Sequence, residues 1–464
     1  MAKIVGITIG PIIETISESK KIYEIANASG FFSNIIYEFL CKIKTDAYDI
    51  ITPNFKESDK TKNIDEKFYP DRVVLKVKDD KREEKEILED ISDIYQSIVG
   101  SEKLQTLKDY INFNIIVKEL EEGKEKKIFD YLDGVELIKN FSNGYETKDI
   151  IKRITEYLEN KKTLNKKFNV NFGSDNENEE NGYRAIIALD LDNMGKFSQN
   201  KLEETIKISE AIYKYIESLN NFISKKYDGK QEGLVLYSAG DDVLAILNPK
   251  HIFEFIEEAC NKLNEIFGGF GNRELSVSFG IFICYAKYPI KEAIEKAHSL
   301  LFGKAKATKN TASILIEKHS GQSVEINFEN LIDKKEGKFN KNNKYFGYMK
   351  SNVSNEKNNS NDEENKDRLL NTIVQKVSRD EFIFKAIITG SYEKDRKDKM
   401  IESYLSELFD AKEEGKEQLG YLEGFLQSIE DKEKFSNEFS QILSFFRMLK
   451  FYVSRGKGGR DNGI

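Results

Sequence analysis

The sequence predicts an α+β protein built from two ferredoxin-like units, with a helical insert between them and a helical C-terminal domain. Three observations predict it. Short apolar runs such as KIVGITI (3–9) and AIIAL (185–189) alternate with long amphipathic stretches. The order strand, helix, strand, strand occurs twice, once near the N-terminus and once between residues 185 and 247. From residue 368 onward only helix-period patterns occur. At 464 residues the chain suits two or three domains, divided as 1–168, 169–335 and 336–464.

In the first unit, residues 3–9 read as a strand stopped by Gly10-Pro11. A helix from about Ser17 to Lys44 places Ile22, Ile25, Ala26, Phe32, Ile35, Ile36, Phe39 and Leu40 on one face. Tyr48–Thr52 and Arg72–Val77 read as strands, with Asp71-Arg72 a turn pair carrying no assigned chemistry. Residues 80–165 read as charged and helical. Leu104, Leu107, Tyr110, Ile111 and Ile115 share one helical face, and Ile150, Ile151, Ile154 and Leu158 share another. SDNENEENG (174–182) reads as a linker.

The second unit begins with the buried strand Ala185–Leu189, which ends at Asp190 and Asp192. Asn193, Met194, Gly195 and Lys196 then turn into a helix over 201–226. LVLYSAGDDVLAIL (234–247) alternates as a hairpin whose tip is Ser238-Ala239-Gly240-Asp241. Asn248-Pro249 is a helix start, and that helix stops at Gly268-Gly269. In the strand 275–283, Ser276, Ser278 and Gly280 form a face of small residues, which leaves room either for a ligand base or for a closely packed helix. A helix from Pro289 to Phe302 stops at Gly303, and Ala312–Glu317 is a last strand. The order through the hairpin is the palm layout of polymerases and nucleotidyl cyclases. In that layout the end of the first strand and the hairpin tip are neighbours.

That adjacency gives the acids their meaning. Asp190, Asp241 and Asp242 would converge as oxygen donors, the donor type that Mg²⁺ or Mn²⁺ takes at about 2.1 Å. Two such ions about 3.5–4 Å apart steady an attacking oxygen and a leaving pyrophosphate. Gly240 supplies the backbone freedom of a tight tip. Asp192 shares the face of Asp190 if the strand runs that far, and points elsewhere if the chain has turned at Leu191.

Composition bounds the alternatives. Lys+Arg number 72 against Asp+Glu 80, a net charge of −8, so the chain is no generic basic nucleic-acid binder. Three scattered cysteines, Cys41, Cys260 and Cys284, form no CxxC, which argues against a zinc ribbon and suits a reducing cytoplasm. The N-terminal MAKIVGITIG lacks a signal-type apolar segment. No apolar run approaches the ~18 residues of a membrane span. His251, His298 and His319 stand apart, so a histidine-built hydrolase centre is not expected. Ser351–Lys366 reads as a disordered loop. Five helices follow within 369–451, and in the basic tail Arg455, Lys457 and Arg460 are either frayed or touch a phosphate or partner.

With these residues in place, the chain resembles the large palm-domain subunit of type III CRISPR effector complexes, in its type III-B (Cmr) form. The segment from Ile7 to Ile35, LDLDNMGKF, SAGDDVLAIL, AHSLLFGKAK and KHSG carry the resemblance in the expected order. It implies a nucleotidyl cyclase-like palm that uses ATP to make an adenylate messenger when the complex binds target RNA. The product is a cyclic oligoadenylate or, in some type III-B lineages, AMP joined to S-adenosylmethionine. It also implies other Cmr-type subunits and guide crRNA as partners. Three departures stand out. Ala239 replaces the usual first Gly of the Gly-Gly-Asp-Asp motif, the histidine-aspartate nuclease domain is missing, so no DNA cleavage is expected, and the zinc cysteines are missing.

On this reading Asp190, Asp241, Asp242 and the Leu191 carbonyl hold two metal ions. Amides of Asn193, Met194, Gly195 and Lys196 cradle a triphosphate at a helix N-terminus. Ser238, Ala239 and Gly240 line the nucleotide at the tip, with Ser276 and Ser278 beside it. Lys304 or Lys306 reaches the β- or γ-phosphate. A catalytically inactive scaffold is the competing expectation, and a stand-alone cyclase a third.

Overall fold

The computed structural model describes residues 2–455 apart from 13–14, 17–18, 20, 57–58, 60–68, 101–103, 105–106, 109, 122–123, 125–126, 140–146, 161–181, 195–201, 228–232, 271–274, 334–335, 342, 355–359, 410–415 and 430–432. The linker expected at 174–182 lies outside the described residues except for Gly182, and so does the tail beyond Arg455.

The first unit runs β1 (Ala2–Gly10), α1 (Ile22–Lys42), β2 (Tyr48–Thr52), β3 (Arg72–Val77), α2 (Glu84–Val99) and β4 (Asn112–Leu120). Its four strands pair antiparallel in the order β2-β3-β1-β4, the complete ferredoxin-like arrangement. β4 corrects the sequence expectation of helix through Ile115. NFNIIVKEL pairs with β1 along its whole length, from Gly10↔Asn112 to Ala2↔Leu120. A nine-residue segment with apolar residues at Phe113, Ile115, Ile116, Val117 and Leu120 fits either period, and the unpaired edge of β1 decides for strand. α1 and α2 bury Phe31, Phe32, Ile35, Phe39, Ile87 and Ile91 on one side of the sheet. α3 (Lys127–Lys139) covers the other side with Ile128 and Leu132, and α4 (Thr147–Asn160) packs Tyr157 edge-on against Phe31.

The second unit repeats the plan with β5 (Tyr183–Asp192), α5 (Leu202–Tyr227), β6 (Gly233–Ala239), β7 (Asp242–Leu247), α6 (Ile252–Phe267) and β8 (Ser276–Tyr285). After α7 (Ile290–Leu300) come β9 (Thr311–Glu317) and β10 (Ser323–Glu329). The sheet order is β10-β9-β8-β5-β7-β6. β10 was not anticipated, although SVEINFE alternates strictly and pairs with β9 from Ser323↔Glu317 to Glu329↔Thr311.

Both faces of this sheet are buried. Ala185, Ile187, Leu189 and Leu191 of β5 face α5, α6 and the C-terminal helices. Ile186 and Ala188 face the core shared with α1, α7 and the first unit. The period of two then puts Asp190 and Asp192 on this second side, between the two ferredoxin-like units. The C-terminal helices are α8 (Lys344–Ser354), α9 (Ser360–Arg379), α10 (Glu381–Thr389), α11 (Lys394–Leu408), α12 (Lys416–Gln427) and α13 (Phe435–Arg455). The expected loop at 351–366 is helical at 351–354 and 360–366, and the residues between lie outside the described ones. α9 is polar at its start and holds its place through buried Leu370, Ile373 and Val377 further along.

The expected stop at Gly303 does not occur. The chain stays helical, passing through a π-helical turn at Leu301–Ala305 and ending at Thr308. Gly280 explains the close approach: a Cβ there would collide with the Ala297 carbonyl and the Leu301 backbone. The small-residue face of β8 therefore receives a helix. Replacing Gly280 with Ala must push α7 off the sheet. The expected loss is about 1–3 kcal/mol, read as an earlier unfolding midpoint in urea, with Gly303→Ala (nothing within 4 Å), which should keep or gain stability, as the control.

Candidate nucleotide and metal site

Asp190 and Asp242 are directly opposite each other on β5 and β7. Such pairs lie about 4.5–5.5 Å apart at Cα. β6 closes onto β7 with Ala239 opposite Asp242, leaving Gly240 and Asp241 as a two-residue turn. Gly240 has φ +62°, the left-handed first position of a type II′ turn. Ala239 ends a paired strand, so its backbone does not call for glycine.

Asp192 has a different role from Asp190. It is fully buried, 0% exposed. Ser276 Oγ donates to it at 2.7 Å, and Ser278 Oγ lies 2.9 Å from both its carboxylate oxygens. The Asn310 amide donates at 2.9 Å, and Lys306 Nζ is 3.2 Å from Oδ1. Lys306 Nζ also contacts Asp190 Oδ1 at 2.8 Å and the Leu191 carbonyl at 2.8 Å. All three ammonium hydrogens thus have oxygen acceptors.

Burial pushes the Asp190 carboxyl up to about 6, with Asp241 and Asp192 adding to the rise and Lys306 opposing it. Burial also raises Asp241, while its own backbone, Lys306 and Arg72 pull it down. Asp242 stands at the open side of the tip. Desolvation raises it first, and the charges of Asp241 and Asp190 raise it further. The cluster carries more negative charge than its neighbours compensate.

Several expected contacts are corrected. Lys304 turns away and pairs with Glu325 on β10. Ser238 is buried and accepts from Asn220 Nδ2 at 3.3 Å, so it is not presented to a phosphate. Ser276 and Ser278 grip Asp192 and do not line an open pocket. Asn193 takes φ +64° and accepts from Lys309 Nζ at 2.6 Å. Met194 packs against the core, and Gly195 and Lys196 lie outside the described residues. Among the described residues no three His, Cys, Asp or Glu side chains converge on one metal-sized point. Asp190 is drawn to Lys306 instead.

Sequence reasoning missed two neighbours. Asp71 and Arg72, at the start of β3, act on the tip from the first unit: Arg72 on Asp241, Asp71 on Asp242, and both on Tyr237. No local pattern marks them. Lys309 and Asn310 were also missed. Both have positive φ, 60° and 52°, and asparagine before a strand is a usable hint of such backbone.

A palm-type sheet with an acidic hairpin opposite a strand-end aspartate defines the class: a palm-domain protein of the polymerase and cyclase layout. Residues 183–314 match the family described as Cas10/Cmr2, second palm domain. The chain is 34% identical over 168 residues to the CRISPR system Cmr subunit Cmr2 of Pyrococcus furiosus, a match covering 30% of this chain and 19% of that protein. The solved Csm1-Csm4 cassette in complex with cA4 aligns with TM-score 0.53 and 11% identity over 97% of this chain and 70% of that chain. That likeness extends the fold across both units and the C-terminal helices. No helix among the described residues is long and apolar enough to cross a membrane.

Two outcomes are expected. Asp192→Ala strips Ser276, Ser278 and the Asn310 amide of their shared acceptor while Lys306 keeps Asp190 and the Leu191 carbonyl; leaving such buried donors unsatisfied costs about 1–3 kcal/mol, measurable by urea unfolding. The second concerns pH. A carboxyl raised in the folded state stabilises below its unfolded pKa and loses that stabilisation as pH rises through the folded value. In chelator, the stability of wild type relative to Asp190→Asn should therefore grow as pH falls from about 6 towards 4. A flat difference across that window would contradict the buried placement of Asp190.

Proposed function

We propose that this chain is the signalling palm subunit of a type III CRISPR antiviral complex, a nucleotidyltransferase that converts ATP to an adenylate second messenger when target RNA binds. The observation that carries the reading is the Asp190–Asp242 pair with Asp241 at the turn and Lys306 against Asp190. The Csm1-Csm4 relative solved with cA4 supports an adenylate product. Other Cmr-type subunits and guide crRNA are the proposed partners, in the cytoplasm.

The donor set fits a hard divalent cation. Asp190, Asp241, Asp242 and the Leu191 carbonyl offer only oxygen, and the carboxyls are raised for want of positive charge. Mg²⁺ or Mn²⁺ bound there, as two ions, would supply charge for the triphosphate and the attacking oxygen. The protein's part is positioning. β5 and β7 fix Asp190 and Asp242 on one rung, the turn aims Asp241, and Lys306 offers a point charge to the β- or γ-phosphate. An acceptor hydroxyl, or the carboxylate of S-adenosylmethionine, or its amine once a proton has passed to water, attacks the α-phosphorus of ATP. The new bond to phosphorus forms as the bridging bond to the β-phosphate breaks, and pyrophosphate leaves. A hydroxyl proton passes to water. None of His251, His298 and His319 is a ligand or base in this scheme.

A scaffold without catalysis is favoured by one observation, the lack of a closed carboxylate cage among the described residues. Mn²⁺-dependent thermal stabilisation by an ATP analogue separates the two, since a scaffold shows none. In the assembled complex with target RNA, Asp241→Ala combined with Asp242→Ala should cut product from labelled ATP by at least ~100-fold while the melting temperature holds. Undiminished product from that double variant would end the proposal. Mass spectrometry with and without S-adenosylmethionine identifies the acceptor.

A further inference from the structure

We infer that Lys306 is a resident counter-ion of the acidic site, which a divalent cation displaces only when a nucleotide offers the ammonium a new partner. This rests on the nucleotidyltransferase reading above. Lys306 Nζ lies 2.8 Å from Asp190 Oδ1 and 2.8 Å from the Leu191 carbonyl. Both oxygens belong to the donor set assigned to the metal. An ammonium and a divalent ion held on the same two oxygens would lie close together and repel, so each weakens the binding of the other.

The surrounding structure holds the ammonium there and also lets it leave. Lys306 follows directly on the π-helical turn that Gly280 admits against β8, so its backbone is fixed close to the strand. Its third acceptor, Asp192, is locked by Ser276, Ser278 and the Asn310 amide and is too deeply buried to follow a metal. Asp192 therefore anchors the lysine while Asp190, on the more open side with 16% of its side chain exposed, is free to change partner. The Lys306 side chain is 21% exposed, at the border of the cluster, and its flexible stem can carry the charge to a triphosphate without moving the helix.

The consequence is coupling. Metal alone must displace an internal cation. Metal with nucleotide need not strand it, since the phosphates take the ammonium. By linkage, each ligand then tightens the other by the same factor. Mn²⁺ binding to the full chain, followed by electron paramagnetic resonance of the free ion, reads this directly. Without nucleotide, Lys306→Met should bind Mn²⁺ about 10-fold more tightly than wild type, and Lys306→Arg should stay near wild type. Lys306→Gln, which keeps a donor for the Leu191 carbonyl, repeats the test if the apolar variant unfolds early. A non-hydrolysable ATP analogue should tighten Mn²⁺ less in the neutral variants than in wild type. Equal Mn²⁺ affinity in wild type and neutral variants overturns the counter-ion role and leaves the enzymatic reading intact. If no protein binds Mn²⁺ even with the analogue, both fall.

Discussion

Asp192 accepts hydrogen bonds from Ser276, Ser278 and the Asn310 amide and pairs with Lys306, so β5, β8 and the segment 306–310 meet at one carboxylate. A buried charge is tolerable only when its lone pairs are so filled. Each partner is placed by something else. The serines sit opposite Asp190 and Asp192 in the β5–β8 register, Lys306 follows the turn admitted by Gly280, and Asn310 is locked by its own side-chain bonds to Ile332. Movement in any of these would shift Lys306 relative to Asp190. The acid that takes no metal thus sets the geometry of the acids proposed to take it.

The second constraint is the meeting of the two ferredoxin-like units. One face of the second sheet joins the core of α1 and α7, and Ser209 on α5 reaches Thr52 on β2 at 3.3 Å. Lys56 pairs with Glu210 across the same seam at 3.0 Å. The other face joins the C-terminal helices, where rings such as Phe425, Phe445 and Phe446 pack edge to face. With both faces covered, the strand-end acids look out along the seam, where Asp71 and Arg72 of β3 also arrive.

Much of this was legible in the residues. Abrupt carboxylates after apolar runs marked β5 and the hairpin tip, and glycine at 240 marked the turn. Parity alone put Asp190 and Asp192 on one side. It could not show that α7 and its π-helical turn would cover one and leave the other, because coverage is a tertiary fact. β4 was misread because its apolar spacing suits both periods. β10 was overlooked despite its alternation, because it follows a strand already taken as the last. The serines of β8 were rightly seen as a small-residue face, and a closely packed helix was the correct half of that alternative. Arg72 carried no local signal at all.

The rung that joins Asp190 to Asp242 sits at the end of an unbroken ladder from Ala185↔Leu247. Side chains alternate along it, so a deletion or insertion of one residue in either strand would turn that strand's acid to the opposite side of the sheet and part it from its partner. Length changes between α5 and β6 leave the ladder untouched. Natural drift in this part of the chain should therefore collect in the connection ahead of the hairpin, while the ladder itself keeps a constant count of residues.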